Sequence, residues 1–212
     1  MDDATVLRRG PQKTRTTATW RVIVFMSALA MAVPADARLP SAYQSLLTRV
    51  AELDETERVR AIHRWVNDRI RFASDAELWG QRDYWATPYE TALRSQGDCE
   101  DIALLKAYLL TRARIAATRL ELVLMTATTR HWSHMVLVYR GRDGATLVLD
   151  NLPQTLRGTR AVAMLRPAYS FGPGGARHYR GAAPKRFPLR RVDAWRDFES
   201  RLAAAGAALW NA

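Results

Sequence analysis

The 212-residue chain has a single cysteine, Cys99, so no internal disulfide can hold its fold together. Stability must come from a core, and 48% hydrophobic residues is ample for one domain but cramped for two. No internal repeat is visible. Acidic residues are scarce towards the C-terminus: residues 153–201 hold eleven Arg and Lys against Asp193, Asp197 and Glu199. Residues 38–152 are nearly balanced, with sixteen basic against fifteen acidic side chains. The basic segment lacks the aromatic interleaving of a nucleic-acid module, which argues against DNA or RNA as a partner. It reads as a solvated basic surface.

A run long enough to cross a bilayer is also missing from the N-terminus. Arg8, Arg9, Lys13, Arg15 and Arg21 precede an apolar stretch over 22–33, well short of the ~20 residues a span requires. Ala35-Asp36-Ala37 follows. Basic, apolar and small-residue regions in that order predict a secretory signal peptide over 1–37, cleaved after Ala37, in preference to a membrane anchor. The mature domain is then 38–212, with 153–212 as a basic C-terminal extension ending in a helix. Export makes the lone thiol informative, because a free cysteine in an oxidising compartment needs a reason to be there.

Over 55–70, Val59, Ile62, Val66 and Ile70 recur at helical spacing, and His63 at the edge of that face reads as a packed or capping histidine rather than a catalytic one. Thr87-Pro88-Tyr89-Glu90 predicts a helix start: Thr87 as N-cap, Pro88 at the first helical position, and Glu90 completing a capping box. Ser95-Gln96-Gly97 breaks that helix, and Cys99 opens another that runs to about Arg114. Strands follow over 120–126, 134–139 and 146–150, the last two joined at Arg142-Asp143-Gly144, where Gly144 supplies a left-handed residue. The Gly- and Pro-rich stretch 167–188 reads as a long surface loop. Trp195, Phe198, Leu202, Ala205 and Leu209 form one face of a terminal helix that docks on the sheet.

A thiol at a helix N-terminus lies where the backbone dipole favours an anion. Cys99 has that position, and it still needs a base. If the Gly144 hairpin pairs Gly141 with Ala145, facing residues are mirror images about Asp143. His134 and Asp150 then share a face as diagonal neighbours, giving the base and the carboxylate that orients it. His131 has the opposite parity and reads as a loop or surface residue. Around the thiol, Asp98, Glu100 and Asp101 admit two readings: a cap with dipole-complementing acids, or ligands for a hard cation. The Cys99 N–H is the natural first donor of an oxyanion hole, and Trp79 or Trp85 is a candidate second donor.

The segments Trp85-Ala86-Thr87-Pro88-Tyr89-Glu90-Thr91, Gly97-Asp98-Cys99-Glu100-Asp101, His134-Met135-Val136-Leu137 and Val148-Leu149-Asp150-Asn151 resemble the bacterial transglutaminase-like cysteine proteases. That family includes LapG-type periplasmic enzymes that clip biofilm adhesins. The resemblance covers about residues 60–152. It implies an α+β, papain-like core with N-terminal helices packed on a small antiparallel sheet, and peptide-bond hydrolysis by Cys99, His134 and Asp150. It further implies calcium held by Asp98, Glu100 and Asp101, an adhesin-like protein substrate, and a regulatory membrane protein as partner. Two other functions remain open: acyl transfer to an amine as in a transglutaminase or amidase, and a non-catalytic binding module that uses its basic tail. An intact set of three reactive residues counts against the latter.

Overall fold

The computed structural model describes residues 39–126, 133–152, 166–179 and 183–210. The expected signal peptide and His131 lie outside these residues.

Helix α1 (Ser41–Val50) packs on α2 (Glu55–Arg69), whose N-cap Asp54 accepts the Glu57 N–H. Arg58 fastens the pair, donating to the carbonyls of Val50, Ala51 and Leu53 and, across the fold, to that of Ala113. A two-residue strand β1 (Arg71–Phe72) leads into the short α3 (Asp75–Trp79). Helix α4 (Pro88–Arg94) starts at Thr87 with the expected capping box and ends where Ser95 turns left-handed. Strand β2 (Gln96–Gly97) then pairs in parallel with β1 and delivers the chain to α5 (Cys99–Arg112). A Cβ on Gly97 would lie 2.7 Å from that of Asp101, so only glycine permits this close approach.

Every side chain from Asp101 to Thr111 of α5 is buried. A helix buried on all sides belongs at the centre of a fold, and the polar Asp101, Lys106 and Thr111 within it each need a partner there. Leu104, Leu105, Leu109 and Leu110 are fully shielded, each worth ~1.5–3 kcal/mol of burial, so packing rather than intrinsic propensity holds this helix. It ends two residues before the expected Arg114, which adopts a positive φ of 63°.

Strands β3 (Leu120–Thr126), β4 (Ser133–Arg140) and β5 (Thr146–Leu149) form an antiparallel meander against α5. The 167–188 stretch is not a surface loop. It contributes β6 (Arg166–Gly172), β7 (Gly175–His178) and β8 (Lys185–Phe187) to the same sheet, in the order β5-β4-β3-β6-β7-β8. Its breakers have local duties there. Pro173 and Gly174 are the loop of the β6–β7 hairpin, Gly175 takes a positive φ of 104°, and Pro167 lies at the β3–β6 register shift. Within β6, Tyr169 and Phe171 bring aromatic rings to the helical side.

Helix α6 (Asp193–Ala204) docks on the sheet as expected, with Trp195 stacked on Phe171 and edge-on to Trp85. The helix is shorter than its apolar pattern suggested: Gly206 turns the chain at a φ of 69°, while Ala205 and Leu209 stay buried beyond its end. Two basic residues of the C-terminal part are held in ion pairs while staying partly exposed. Arg177 pairs with Glu121, and Arg201 pairs with Glu90 while donating to the Trp85 carbonyl.

Candidate active site

The first residue of α5 and the ends of β4 and β5 meet at one cleft of about 590 Å³, lined by Cys99, His134, Met135, Trp85 and Asn151 among others. The hairpin register explains the meeting. Leu137 faces Leu149 and Tyr139 faces Leu147, Gly141 N–H donates to Ala145 O at 2.7 Å, and Gly144 has a φ of 82°. With that register His134 and Asp150 are brought together, and His134 Nε2 donates to Asp150 Oδ1 at 2.7 Å in a buried contact. Burial pushes the Asp150 carboxyl up, but the His134 hydrogen bond and charge, the Leu152 N–H and the charge on Lys106 outweigh it and leave the carboxyl below its ordinary range.

Cys99 is half-buried, and the Met135 N–H, from the residue after His134, faces its thiol. The same thiol donates to Glu100 Oε2 at 2.9 Å. Its pKa is raised, first by burial and then by the neighbouring Glu100 carboxylate; the Met135 N–H opposes the rise.

The acids near the thiol form a larger cluster than the sequence suggested. Asp75 opens α3 and is buried, Asp83 is exposed on the following loop, and both bring a carboxylate oxygen within 4.8 Å of Glu100. Asp75, Asp98 and Asp101 form a second such group. Asp101 is also structural: Oδ1 accepts the Ala86 N–H at 2.7 Å, and Oδ2 accepts the Asp98 N–H at 3.3 Å. Asp75 Oδ2 accepts the Tyr84 N–H at 2.6 Å. Asp75 Oδ1 and Asp98 Oδ1 are buried with no hydrogen-bond partner among the described residues. Burial, followed by like charge from neighbouring acids, pushes Asp98 up to about 9. Asp101 rises to about 8 and Asp75 to about 6, burial again leading, with backbone donors opposing. Crowded carboxylates with orphaned oxygens are the donor set a hard divalent cation fits.

Of the two indoles considered for an oxyanion hole, Trp85 lines the cleft but gives its N–H to Asp83 at 3.1 Å. Trp79 instead packs on Tyr84 under the Arg94 guanidinium. His63 is packed, as expected, 3.5 Å from Asn67. His178 stacks on Tyr169 at 4.6 Å, in a groove along β6–β8 that meets the cleft at Asp83, Trp85 and Leu124. Lys106 was missed by the sequence reading, although a lone lysine inside the apolar run of α5 was a usable signal. Its Nζ, fully buried, donates to the carbonyls of Leu149 and Asp150 at 3.1 and 2.9 Å.

Solved structures of Legionella pneumophila LapG share this fold. The EGTA-treated form superposes with a TM-score of 0.65 at 23% identity, covering 76% of this chain and 86% of that one. The calcium-bound form gives 0.61 at 24% identity, covering 74% and 87%. No curated protein matches the chain by sequence. The sequence model of the bacterial transglutaminase-like cysteine proteinases, BTLCP, matches residues 40–162, which takes in α1 to β5 and every residue of the cleft discussed above except the β6–β8 groove. By that match over more than half its length, the chain belongs to the bacterial transglutaminase-like cysteine proteinases and is a cysteine peptidase acting on protein.

Proposed function

We propose that this peptidase is an exported, calcium-dependent endopeptidase that cuts a surface adhesin, with Cys99 as nucleophile, His134 as base and Asp150 as the carboxylate that orients it. The observation that carries the reading is the convergence on one cleft of a thiol at a helix start and a 2.7 Å His134–Asp150 hydrogen bond. Because Asp150 engages Nε2, Nδ1 is the nitrogen through which His134 takes the thiol proton. The thiolate attacks the scissile carbonyl, and the Cys99 backbone N–H at the start of α5 stabilises the oxyanion. His134 then protonates the leaving amine, a thioester remains on Cys99, and water activated by the same imidazole releases the acid.

Asp98, Glu100 and Asp101, with Asp75 and Asp83 beside them, would hold calcium, which supplies positive charge next to a thiol otherwise surrounded by acids. The orphaned oxygens of Asp75 and Asp98 support this reading, as does the calcium-bound form of the Legionella relative. Residues 1–37 serve as a signal peptide that delivers 38–212 to the periplasm, where an adhesin and a regulatory membrane protein would be met. The test is incubation of the purified protein with candidate adhesins, with and without a calcium chelator, and mass spectrometry of the fragments. Calcium-dependent cleavage at a defined site supports the proposal; intact adhesins under both conditions would count against it.

A further inference from the structure

Lys106 is among the largest fully buried side chains of the fold. Taking an ammonium out of water is unfavourable, and a leucine or methionine would fill the same helical position without that cost. Its surroundings indicate what offsets the burial. Lys106 follows Cys99 by seven residues, close to two turns of α5, so helix geometry places both on one side of the helix. Its Nζ reaches the carbonyls of Leu149 and Asp150. Leu149 is the last paired residue of β5, so Asp150 lies beyond the ladder and depends on other bonds to fix its main chain. The Asp150 carbonyl receives a second donor from α2, Asn67 Nδ2 at 2.9 Å. Two helices thus clamp the main chain of the residue whose side chain holds His134.

We infer that Lys106 is a positioning residue for catalysis, bracing Asp150 from the helix that carries the nucleophile and so setting the His134 orientation. The inference rests on the proposed roles of Cys99, His134 and Asp150. Lys106 touches neither Cys99 nor the bond to be cut; it acts through Asp150. Burial lowers the Lys106 pKa to about 7 against the opposing Asp150 charge, so the geometry acts at every pH and the charge, where Lys106 is protonated, adds to it by favouring the ionised Asp150 carboxyl. The groups facing Lys106 are Asp150 and, from α2, His63, whose own protonation the Lys106 charge opposes.

The chain's single cysteine makes the test clean, since intact mass reports alkylation of Cys99 alone. The second-order rate constant for carbamidomethylation by iodoacetamide would be measured in calcium-containing buffer across pH. Four proteins are compared: wild type, Lys106→Met, Asp150→Ala and the double variant, with a thermal melt for each. Loss of an orienting partner of this kind costs ~10–100-fold, so each single variant should slow alkylation by about that factor at neutral pH. The double variant should be no slower than Asp150→Ala, because Lys106 has nothing left to act through. Lys106→Gln, which keeps an amide donor without the charge, should fall between wild type and Lys106→Met, and it carries the same cycle if the methionine variant does not fold. A lowered melting temperature with an unchanged rate, or an additive double variant, would reduce Lys106 to a structural staple. If Asp150→Ala itself alkylates like wild type, the proposed role of Asp150 fails and takes this inference with it.

Discussion

The sulfur of Cys99 lies 2.9 Å from Glu100 Oε2, so the candidate nucleophile donates its proton to the next residue's carboxylate. That contact opposes thiolate formation, yet Glu100 also belongs to the acidic group with Asp75 and Asp83. One side chain therefore links the thiol to the proposed calcium site. Removing its charge should have opposite effects with and without the ion. A charge at this range shifts a pKa by about 1–3 units, so in chelator Glu100→Gln should alkylate roughly tenfold faster than wild type. In calcium the variant should lose most of the acceleration shown by wild type. Iodoacetamide kinetics over a calcium titration check both; a wild type indifferent to calcium would break the link.

Asp75 should matter to calcium although it is distant in sequence from Cys99. Its Oδ1 is buried and unpartnered, and it groups with both Glu100 and Asp98. Asp75→Asn should weaken calcium binding by ~10-fold or more, a typical cost for altering a metal site. Calorimetric titration beside the Glu100→Gln/Asp101→Asn double variant gives the comparison. Equal affinities in wild type and Asp75→Asn would remove Asp75 from the site.

Much of this architecture was legible because its signals are local. The capping box at Thr87 and Glu90 and the glycine turn at Gly144 each depend on a few adjacent residues, and the second fixes the register that brings His134 to Asp150. Strands β6–β8 were hidden by their own turns. Pro167, Pro173 and Gly174 suggest a loop in any short window, whereas here they occupy a register shift and a hairpin tip. Asp75 and Lys106 were missed for another reason: their roles exist only through contacts with distant chain, Tyr84 and Glu100 for one, Leu149 and Asp150 for the other. The break that Lys106 makes in the apolar run of α5 marks the position but does not name its partners, and Asp75 leaves no such mark.

Gly97 should tolerate no side chain. A Cβ there meets the Asp101 Cβ at 2.7 Å, and Asp101 is fixed by two backbone N–H groups. Gly97→Ala should therefore destabilise the fold by ~1–3 kcal/mol, the usual range for overpacking, and slow the enzyme by shifting the start of α5. Urea unfolding measures the first effect and Cys99 alkylation the second. An alanine variant as stable and as reactive as wild type would contradict the close approach.

Acid should destabilise the protein partly through His63. Burial first, then the Lys106 charge, pushes its pKa down to about 3 from an ordinary 6.5, with Asp150 opposing. Between those values the unfolded chain binds a proton that the folded chain refuses. The contribution is therefore fully present above pH 6.5 and is lost as pH falls towards 3, with a slope of up to ~1.4 kcal/mol per pH unit. His63→Leu removes this one titration, so the variant should gain on wild type as pH drops through that window. Parallel denaturation curves at pH 7, 6, 5 and 4 give the difference, and a constant offset would show that His63 titrates normally.

The central claim is that peptide-bond cleavage runs through the one thiol of the chain, and the direct measurement is a comparison of fragments from wild type and Cys99→Ala. Each would be incubated with the same adhesin in calcium, and the products read by mass spectrometry. Cys99 is half-buried, and among the described residues its thiol is placed only against the Met135 N–H and Glu100, so the alanine variant should fold. Wild type should give a defined pair of fragments, and Cys99→Ala should leave the adhesin intact at an unchanged melting temperature. The same fragments from a folded Cys99→Ala protein would contradict it.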